Sequence, residues 1–151
     1  MNTIHQARLE IRTTGRSLVD LTADVAALVA RSGVVTGLCT VFVRHTSASL
    51  VIQENADPAV LRDLERWLGA LAPESSVYEH ADEGPDDMPS HLRCAVTRSS
   101  ETIPVTAGRL ALGRWQALYL WEHRARPHTR ELIVTTLGAG QADGQGVSSS
   151  P

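Results

Sequence analysis

The sequence predicts a single α+β domain, because of its size and because it mixes two kinds of apolar spacing. At 151 residues, the chain has a common size for one domain and buries roughly 70% of its unfolded surface on folding. Segments of alternating or β-branched residues predict strands near both ends, and segments with helical apolar spacing lie between them. Neither an internal repeat nor an interdomain linker is evident. Residues 1–138 are therefore expected to form one domain.

The N-terminal part predicts a hairpin, a helix and a strand. Apolar and polar residues alternate over residues 4–12, a Thr-Thr-Gly-Arg turn follows, and residues 18–21 supply the return arm of the hairpin. Thr22 can cap a helix that ends at Gly33. The β-branched run at residues 34–44 predicts a strand buried on both faces, including the face that carries Leu38 and Phe42.

The middle of the chain predicts an extended segment, two helices and an acidic loop. After the extended residues 48–53, Asp57 is a suitable N-cap and Pro58 suits the first position of a helix that closes at Pro73. Acidic residues with Gly and Pro then predict a loop over residues 74–87. A short helix follows, with His91 near its N-terminus. The residues expected to point inward from it are Leu92, Ala95 and Val96.

The C-terminal part predicts three strands and a disordered tail. The strands cover residues 102–105, 113–122 and 131–137, and a turn at Gly108 separates the first two. The Gly-, Ser- and Gln-rich residues 139–151 predict the tail.

Charge and composition exclude several classes of protein. Fourteen basic and 17 acidic side chains give a net charge of -3 without a block of like charges, which argues against a nucleic-acid partner. No apolar run approaches the roughly 18 residues of a membrane span, and no leader pattern opens the chain. Cys39 and Cys94 lack a C-x-x-C partner and are expected to be reduced, structural thiols. We therefore expect a cytoplasmic protein.

Three histidines each lie where a predicted strand or loop ends. They are His45, His80 and His91. A catalytic zinc-type site needs about three protein ligands and an open position. Their spacings match no compact motif, and lone histidines usually make ordinary hydrogen bonds, so both interpretations stay open.

Two charged segments have similar alternatives. Glu83-Gly84-Pro85-Asp86-Asp87 offers oxygen ligands suited to magnesium, or is a solvated loop whose aspartate caps a helix. A basic turn holds His123, Arg124, Arg126, His128 and Arg130. Its arginines match phosphate oxygens, although solvated surface charge is the commoner explanation for such a turn.

Several sequence motifs, in this order, resemble those of the YjbQ family. They are His45-Thr46-Ser47-Ala48-Ser49-Leu50, Gln53-Glu54-Asn55-Ala56-Asp57-Pro58, Glu83-Gly84-Pro85-Asp86-Asp87-Met88-Pro89-Ser90-His91, Gly113-Arg114-Trp115-Gln116 and Glu122-His123-Arg124. The resemblance spans residues 36–138, and the first 35 residues agree only in their general pattern. The family is also called the secondary thiamine-phosphate synthase family.

The resemblance implies an α+β fold built on an antiparallel β-sandwich with two or three helices, assembled as a homotrimer. It implies His45, His80 and His91 as ligands of a divalent metal ion, zinc or magnesium. The implied catalytic residues are Asp86, Asp87, Glu122 and Arg124. The implied substrate-binding residues are Thr46, Ser47, Asn55, Gln116 and Arg130. Arg114 departs from the family's usual threonine, and either adds a phosphate-binding charge or points to solvent.

The activity implied by the resemblance is a transfer that joins a pyrimidine diphosphate to a thiazole phosphate with loss of pyrophosphate. A divalent ion would neutralise the leaving pyrophosphate, with Arg124 or Arg130 assisting. Two other classes stay open. One is a metal-dependent hydrolase of a small phosphorylated or acyl substrate, and the other is a non-enzymatic protein that binds a metal or metabolite.

Overall fold

Two antiparallel sheets and three helices make up the described part of the chain, which is residues 2–75 and 77–141 of a computed structural model. The strands are β1 (Asn2–Arg12), β2 (Ser17–Asp20), β3 (Thr36–Val43), β4 (Ala48–Glu54), β5 (Ser100–Thr106), β6 (Arg109–Leu110), β7 (Gln116–Glu122) and β8 (Thr129–Ala139). The helices are α1 (Thr22–Ser32), α2 (Pro58–Leu71) and α3 (Asp87–Val96). The larger sheet has the order β1-β8-β3-β5-β6, and the smaller has the order β2-β7-β4.

The apolar core joins side chains from both sheets with one face of α1. The strands β3, β5 and β8 of the larger sheet bury their alternate residues against β4 and β7 of the smaller one. Val25 and Val29 of α1 are completely buried in the same cluster. Alternate side chains of a strand point to opposite faces, so one face of each sheet supplies this core. The predicted α+β domain with an antiparallel, sandwich-like core is confirmed.

The predicted N-terminal hairpin is wrong. β1 pairs along its whole length with β8, from Asn2 opposite Ala139 to Arg12 opposite Thr129, whereas β2 pairs with β7 in the other sheet. Gly15, with a φ of 113°, lies in the crossing between the sheets, and a Cβ there would collide with the carbonyl oxygen of Ala125. The turn residues lie where the sequence predicts them, but each strand pairs with a strand from a distant part of the chain.

The larger sheet has an apolar outer face, which corrects the prediction that β3 is buried on both sides. Leu38 is 49% exposed and Phe42 is 46% exposed. Leu38 lies opposite Leu137, and Leu137 lies opposite Ile4, so these side chains share one face. We call Ile4, Leu38, Phe42 and Leu137 the outer face.

Helix α2 begins as predicted, whereas α3 buries mainly polar and charged side chains where apolar ones were predicted. Asp57 accepts a hydrogen bond from the Ala59 N–H at 2.9 Å, ahead of Pro58. In α3 the apolar Ala95 and Val96 are exposed, and the buried residues are Asp87, Pro89, Ser90 and Arg93. Ion pairs explain the reversal, since Arg93 donates to Glu65 of α2 at 2.6 Å and Asp87 pairs with Arg124.

The ends of the last two strands differ from the predicted ones. β7 begins at Gln116 rather than at residue 113, and β8 continues to Ala139, so that the predicted tail begins inside a strand. Residues 142–151 of that tail lie outside the described residues. Within the described part of the chain, the helices lack the length and apolar stretch needed to cross a membrane.

Candidate metal centre

His80, Asp87 and His91 converge in a group that could hold a metal ion, since each offers a ligand atom within 4.8 Å of the other two. The Asp87 Oδ2 atom lies 2.6 Å from His80 Nε2 and 3.3 Å from His91 Nε2. The centroids of the two imidazole rings are 5.4 Å apart. Two ring nitrogens therefore share one carboxylate oxygen.

A loop and a helix end position the three residues. His80 lies outside the helices and strands, between α2 and α3, while Asp87 begins α3 and His91 follows four residues later. Residues at this spacing lie on the same face of a helix. The Asp87 side chain is 2% exposed and that of His80 is 48% exposed. The carboxylate thus forms the floor of the group, and the imidazoles form its rim.

Arg124 holds the carboxylate in place from behind. It donates to Asp87 Oδ1 at 2.6 Å, to Asp86 Oδ2 at 2.9 Å and to the Glu83 carbonyl oxygen at 2.9 Å. Burial opposes ionisation of Asp87, but the His80 hydrogen bond and the Arg124 charge outweigh it, so that the pKa of Asp87 is lowered. The Oδ2 atom is left for the imidazoles.

A backbone carbonyl fixes the tautomer of His91. The Thr46 carbonyl oxygen lies 2.9 Å from His91 Nδ1, and because a carbonyl can only accept, Nδ1 must carry the proton. The lone pair of Nε2 is then available on the side of Asp87. A hydrogen bond of this kind commonly orients metal-ligating histidines. Thr46 therefore takes part through its backbone.

The donor set fits zinc or a similar transition metal better than magnesium. Two imidazole nitrogens and one carboxylate match the three-ligand sets of catalytic zinc sites, which keep a further position open. Magnesium prefers oxygen ligands in an octahedral arrangement. Of the two ions expected from the sequence, the geometry favours zinc.

Two cavities border the group. One of about 620 Å³ is lined by His91, His45 and Thr46, together with Phe42 and Cys94. The other, of about 460 Å³, is lined by His80 with Tyr78 and Met88 among its walls. We call them the His91 cavity and the His80 cavity. A ligand in either one would contact an imidazole of the group.

Comparison with known proteins assigns the family. A family model described as UPF0047 protein YjbQ-like matches residues 7–139. The chain belongs to the YjbQ family. It is 58% identical over 135 residues to a UPF0047 protein of Synechocystis, covering 89% of this chain and 92% of the relative. It is 47% identical over 103 residues to the YjbQ protein of Salmonella typhimurium, covering 68% and 75% of the two chains.

Solved structures of similar proteins have the same fold. A YbjQ-like protein of unknown function from Sulfolobus solfataricus superposes with a TM-score of 0.85 at 25% identity, covering 92% of this chain and all of that one. A YjbQ/UPF0047 protein from Clostridium acetobutylicum gives a TM-score of 0.80 at 32% identity, covering 86% and 98%. The family-model match begins at residue 7, so it extends well N-terminal of residues 36–138, the span of the motifs that resemble the family.

The expected set of three histidine ligands is not formed within this YjbQ chain. The Nε2 atom of His45 accepts a hydrogen bond from the Glu131 N–H at 2.8 Å, and His45 is absent from the converging group. Pairing of β3 with β8 continues through the Arg44 N–H, which donates to the Glu131 carbonyl oxygen. This pairing holds His45 against β8, and Asp87 takes the third place in the group.

Glu122 and Arg130 form a buried ion pair rather than an open catalytic or phosphate-binding surface. Arg130 donates to both carboxylate oxygens of Glu122 and also to Ser47 Oγ at 3.0 Å. Thr13 Oγ1 donates to Glu122 at 2.7 Å. Burial alone would raise the pKa of Glu122, but Arg130 and Thr13 together have a larger, opposite effect. The pKa of Glu122 is therefore lowered, and the carboxylate is ionised. These side chains join β7 and β8 to the residue that follows β1.

Asn55 and Gln116 lie away from the histidines. Ala48 pairs with Glu122 at one end of the β4–β7 ladder, and Glu54 pairs with Gln116 at the other. Six residues of strand separate these ends, about 20 Å. Asn55 donates to the backbone oxygens of Arg114 and Gln116, and Gln116 accepts from the Gly113 N–H. These amides close a turn in this chain.

Two features were missed in the sequence. Asp87 was expected as a magnesium ligand or a helix cap, whereas its spacing of four residues from His91 on a predicted helix was a usable signal that the two side chains belong to one site. His123 is completely buried, against the expectation of an exposed basic turn, and its Nε2 lies 2.8 Å from Ser49 Oγ. Burial and then the Arg93 charge lower the pKa of His123 to about 3. Its neighbours in sequence gave no sign of this burial.

Proposed function

We propose that this YjbQ protein is a metal-dependent hydrolase of a small phosphorylated or acyl substrate, with zinc bound by His80, Asp87 and His91. The supporting observation is the convergence of two imidazole nitrogens on one buried, ionised carboxylate beside an open cavity. A zinc ion in such a site lowers the pKa of a bound water and polarises a phosphoryl or acyl oxygen.

The residues around the ligands serve binding and orientation in this proposal. Arg124 keeps Asp87 ionised and fixes its position, and the Thr46 carbonyl orients His91. Phe42 and Val43 give the His91 cavity an apolar wall, which suits the body of a compact substrate.

Metal analysis of untagged protein and zinc titration calorimetry test the ligand set. We expect zinc in near-stoichiometric amount, and we expect His80→Ala, Asp87→Asn and His91→Ala each to weaken binding tenfold or more, since each removes one of three ligands. His45→Ala is the matched control and should bind zinc as wild type does. Equal zinc binding by wild type and His91→Ala would refute the site.

Turnover separates hydrolysis from binding alone. Zinc-loaded wild type should hydrolyse p-nitrophenyl phosphate or p-nitrophenyl acetate, and His91→Ala should not. Zinc-dependent thermal stabilisation without turnover on any phosphoester or ester would instead favour the non-enzymatic metal-binding alternative.

A second candidate is the thiamine-phosphate synthase-like transferase implied by the family resemblance. The observation that favours it is the presence of two cavities that border the group, one for each of two substrates. We place it second because Arg124 and Arg130, expected to assist the pyrophosphate, are engaged with internal carboxylates. Complementation of a thiamine-requiring strain by wild type, and not by His91→Ala, would support transfer, whereas equal rescue by both would count against it.

We also propose that the protein is a homotrimer of the cytoplasm. The number of subunits comes from the resemblance, and the apolar outer face supports self-association because isolated proteins rarely expose such a surface. Phe42 belongs both to the outer face and to the His91 cavity, so that a neighbouring subunit would lie beside the cavity. The free thiols of Cys39 and Cys94 suit a reducing compartment.

A further inference from the structure

His45 lines the His91 cavity but has a different task from His91. Its Nε2 atom accepts the hydrogen bond of the Glu131 N–H at 2.8 Å. A backbone N–H can only donate, so Nε2 must be unprotonated. In a neutral imidazole the proton then sits on Nδ1. The β3–β8 pairing therefore determines both the position of the ring and its tautomer.

The surroundings keep this ring neutral. Burial and then the positive charge of Arg130 lower the pKa of His45, against the smaller opposing effects of Glu122 and Glu131. A proton on Nε2 would also point at the Glu131 N–H. The ring therefore remains a neutral donor at physiological pH.

The Nδ1 side of the ring is free. Within residues 2–75 and 77–141, Nδ1 makes no hydrogen bond and is not among the buried atoms that lack a partner. The side chain is only half-buried, and the ring lines the His91 cavity. A fixed donor with a defined proton thus borders the space beside the metal ligands.

We propose that His45, through Nδ1–H, donates a hydrogen bond to a phosphoryl or acyl oxygen of the substrate held in the His91 cavity. This assignment deepens the proposed function and rests on it. A preoriented donor in a cavity with apolar walls stabilises negative charge that develops on such an oxygen, and loss of one donor of this kind typically costs 10²–10³-fold in rate. His45 would then contact the substrate, whereas His80 and His91 contact the ion.

Two substitutions separate this role from a structural one. In His45→Asn the amide nitrogen can occupy the place of Nδ1, so that the donor is kept and the acceptor for Glu131 is lost. In His45→Gln the amide oxygen can occupy the place of Nε2, so that the acceptor is kept and the donor is lost. A purely structural His45 would be replaced better by glutamine, and a substrate donor better by asparagine.

The readouts are ring ¹⁵N NMR and binding of inorganic phosphate, measured with and without zinc. Wild type should show His45 protonated on Nδ1 and unprotonated on Nε2, and phosphate should shift the Nδ1 resonance. In the zinc-loaded protein, we expect His45→Gln to weaken phosphate binding about tenfold or more, the loss typical of a hydrogen bond to a charged group. His45→Asn should stay within about threefold of wild type.

The outcomes distinguish this inference from the proposed function. Failure of wild type to bind zinc would overturn the metal site, while the phosphate-induced shift in metal-free protein would still support the donor. Normal zinc binding with an Nε2-protonated His45 would overturn the donor and leave the metal site standing. Equal phosphate affinity in His45→Gln and wild type, or a weaker affinity in His45→Asn than in His45→Gln, would also overturn it.

Discussion

Replacement of Arg130 by methionine should be among the most damaging single changes in this protein. Glu122 is 0% exposed, and Arg130 donates to both of its carboxylate oxygens. Arg130→Met leaves an ionised carboxylate in the interior with Thr13 and one backbone N–H as its remaining donors. Removal of one partner of a buried ion pair costs about 3–5 kcal/mol, a third or more of the free energy of unfolding of many domains.

Urea denaturation checks this magnitude. With a typical dependence of about 2 kcal/mol per molar urea, the midpoint should fall by about 1.5–2.5 M. The double variant Arg130→Met with Glu122→Gln should recover part of the loss, because the unpaired charge is gone while the acceptor for Thr13 remains. A midpoint shift below about 0.5 M for Arg130→Met, or a double variant less stable than that single variant, would refute the buried-pair interpretation.

Two further predictions concern pH and assembly. The pKa of Glu122 in the folded protein lies below its ordinary value of 4.5, so its contribution to the free energy of unfolding is complete above about pH 5 and is lost as pH falls through the folded pKa. Urea denaturation across this range should show a smaller decline in the free energy of unfolding for Glu122→Gln than for wild type, and an equal decline would contradict the linkage. Phe42→Asp places a charge on the outer face and should give monomers, measured by light scattering, whereas Val77→Asp, at a position 82% exposed and outside that face, should leave the assembly intact. A monomeric wild type would rule out the proposed assembly.

Local patterns in the sequence predicted most of the elements, because the signals for them lie within a few residues. The cap at Asp57 and Pro58 fixed the start of α2, and the left-handed Gly33, with a φ of 72°, ends α1. The long motifs around His45 and His91 are enough to indicate the YjbQ family. Residue type alone also placed His80 and His91 among the candidate ligands.

Tertiary structure decided which of these residues meet. β1 pairs with a strand more than a hundred residues away rather than with its neighbour β2, and no local pattern encodes such a choice. The same pairing network holds His45 against β8, and His45 is absent from the converging group. Charge patterns were misleading for a related reason, since a basic turn looks solvated until its acidic partners are known.

By itself, the sequence determined the helices, every strand except the short β6, the family and the chemical types available for a site. The folded chain decided that Asp87 joins His80 and His91, that Arg124 and Arg130 serve buried carboxylates, and that β3 leaves an apolar face uncovered. The physical reason is the range of the interactions. Capping and periodicity act within a turn or two of chain, whereas ion pairs and strand partners join residues whose separation in sequence carries no information about their distance in space.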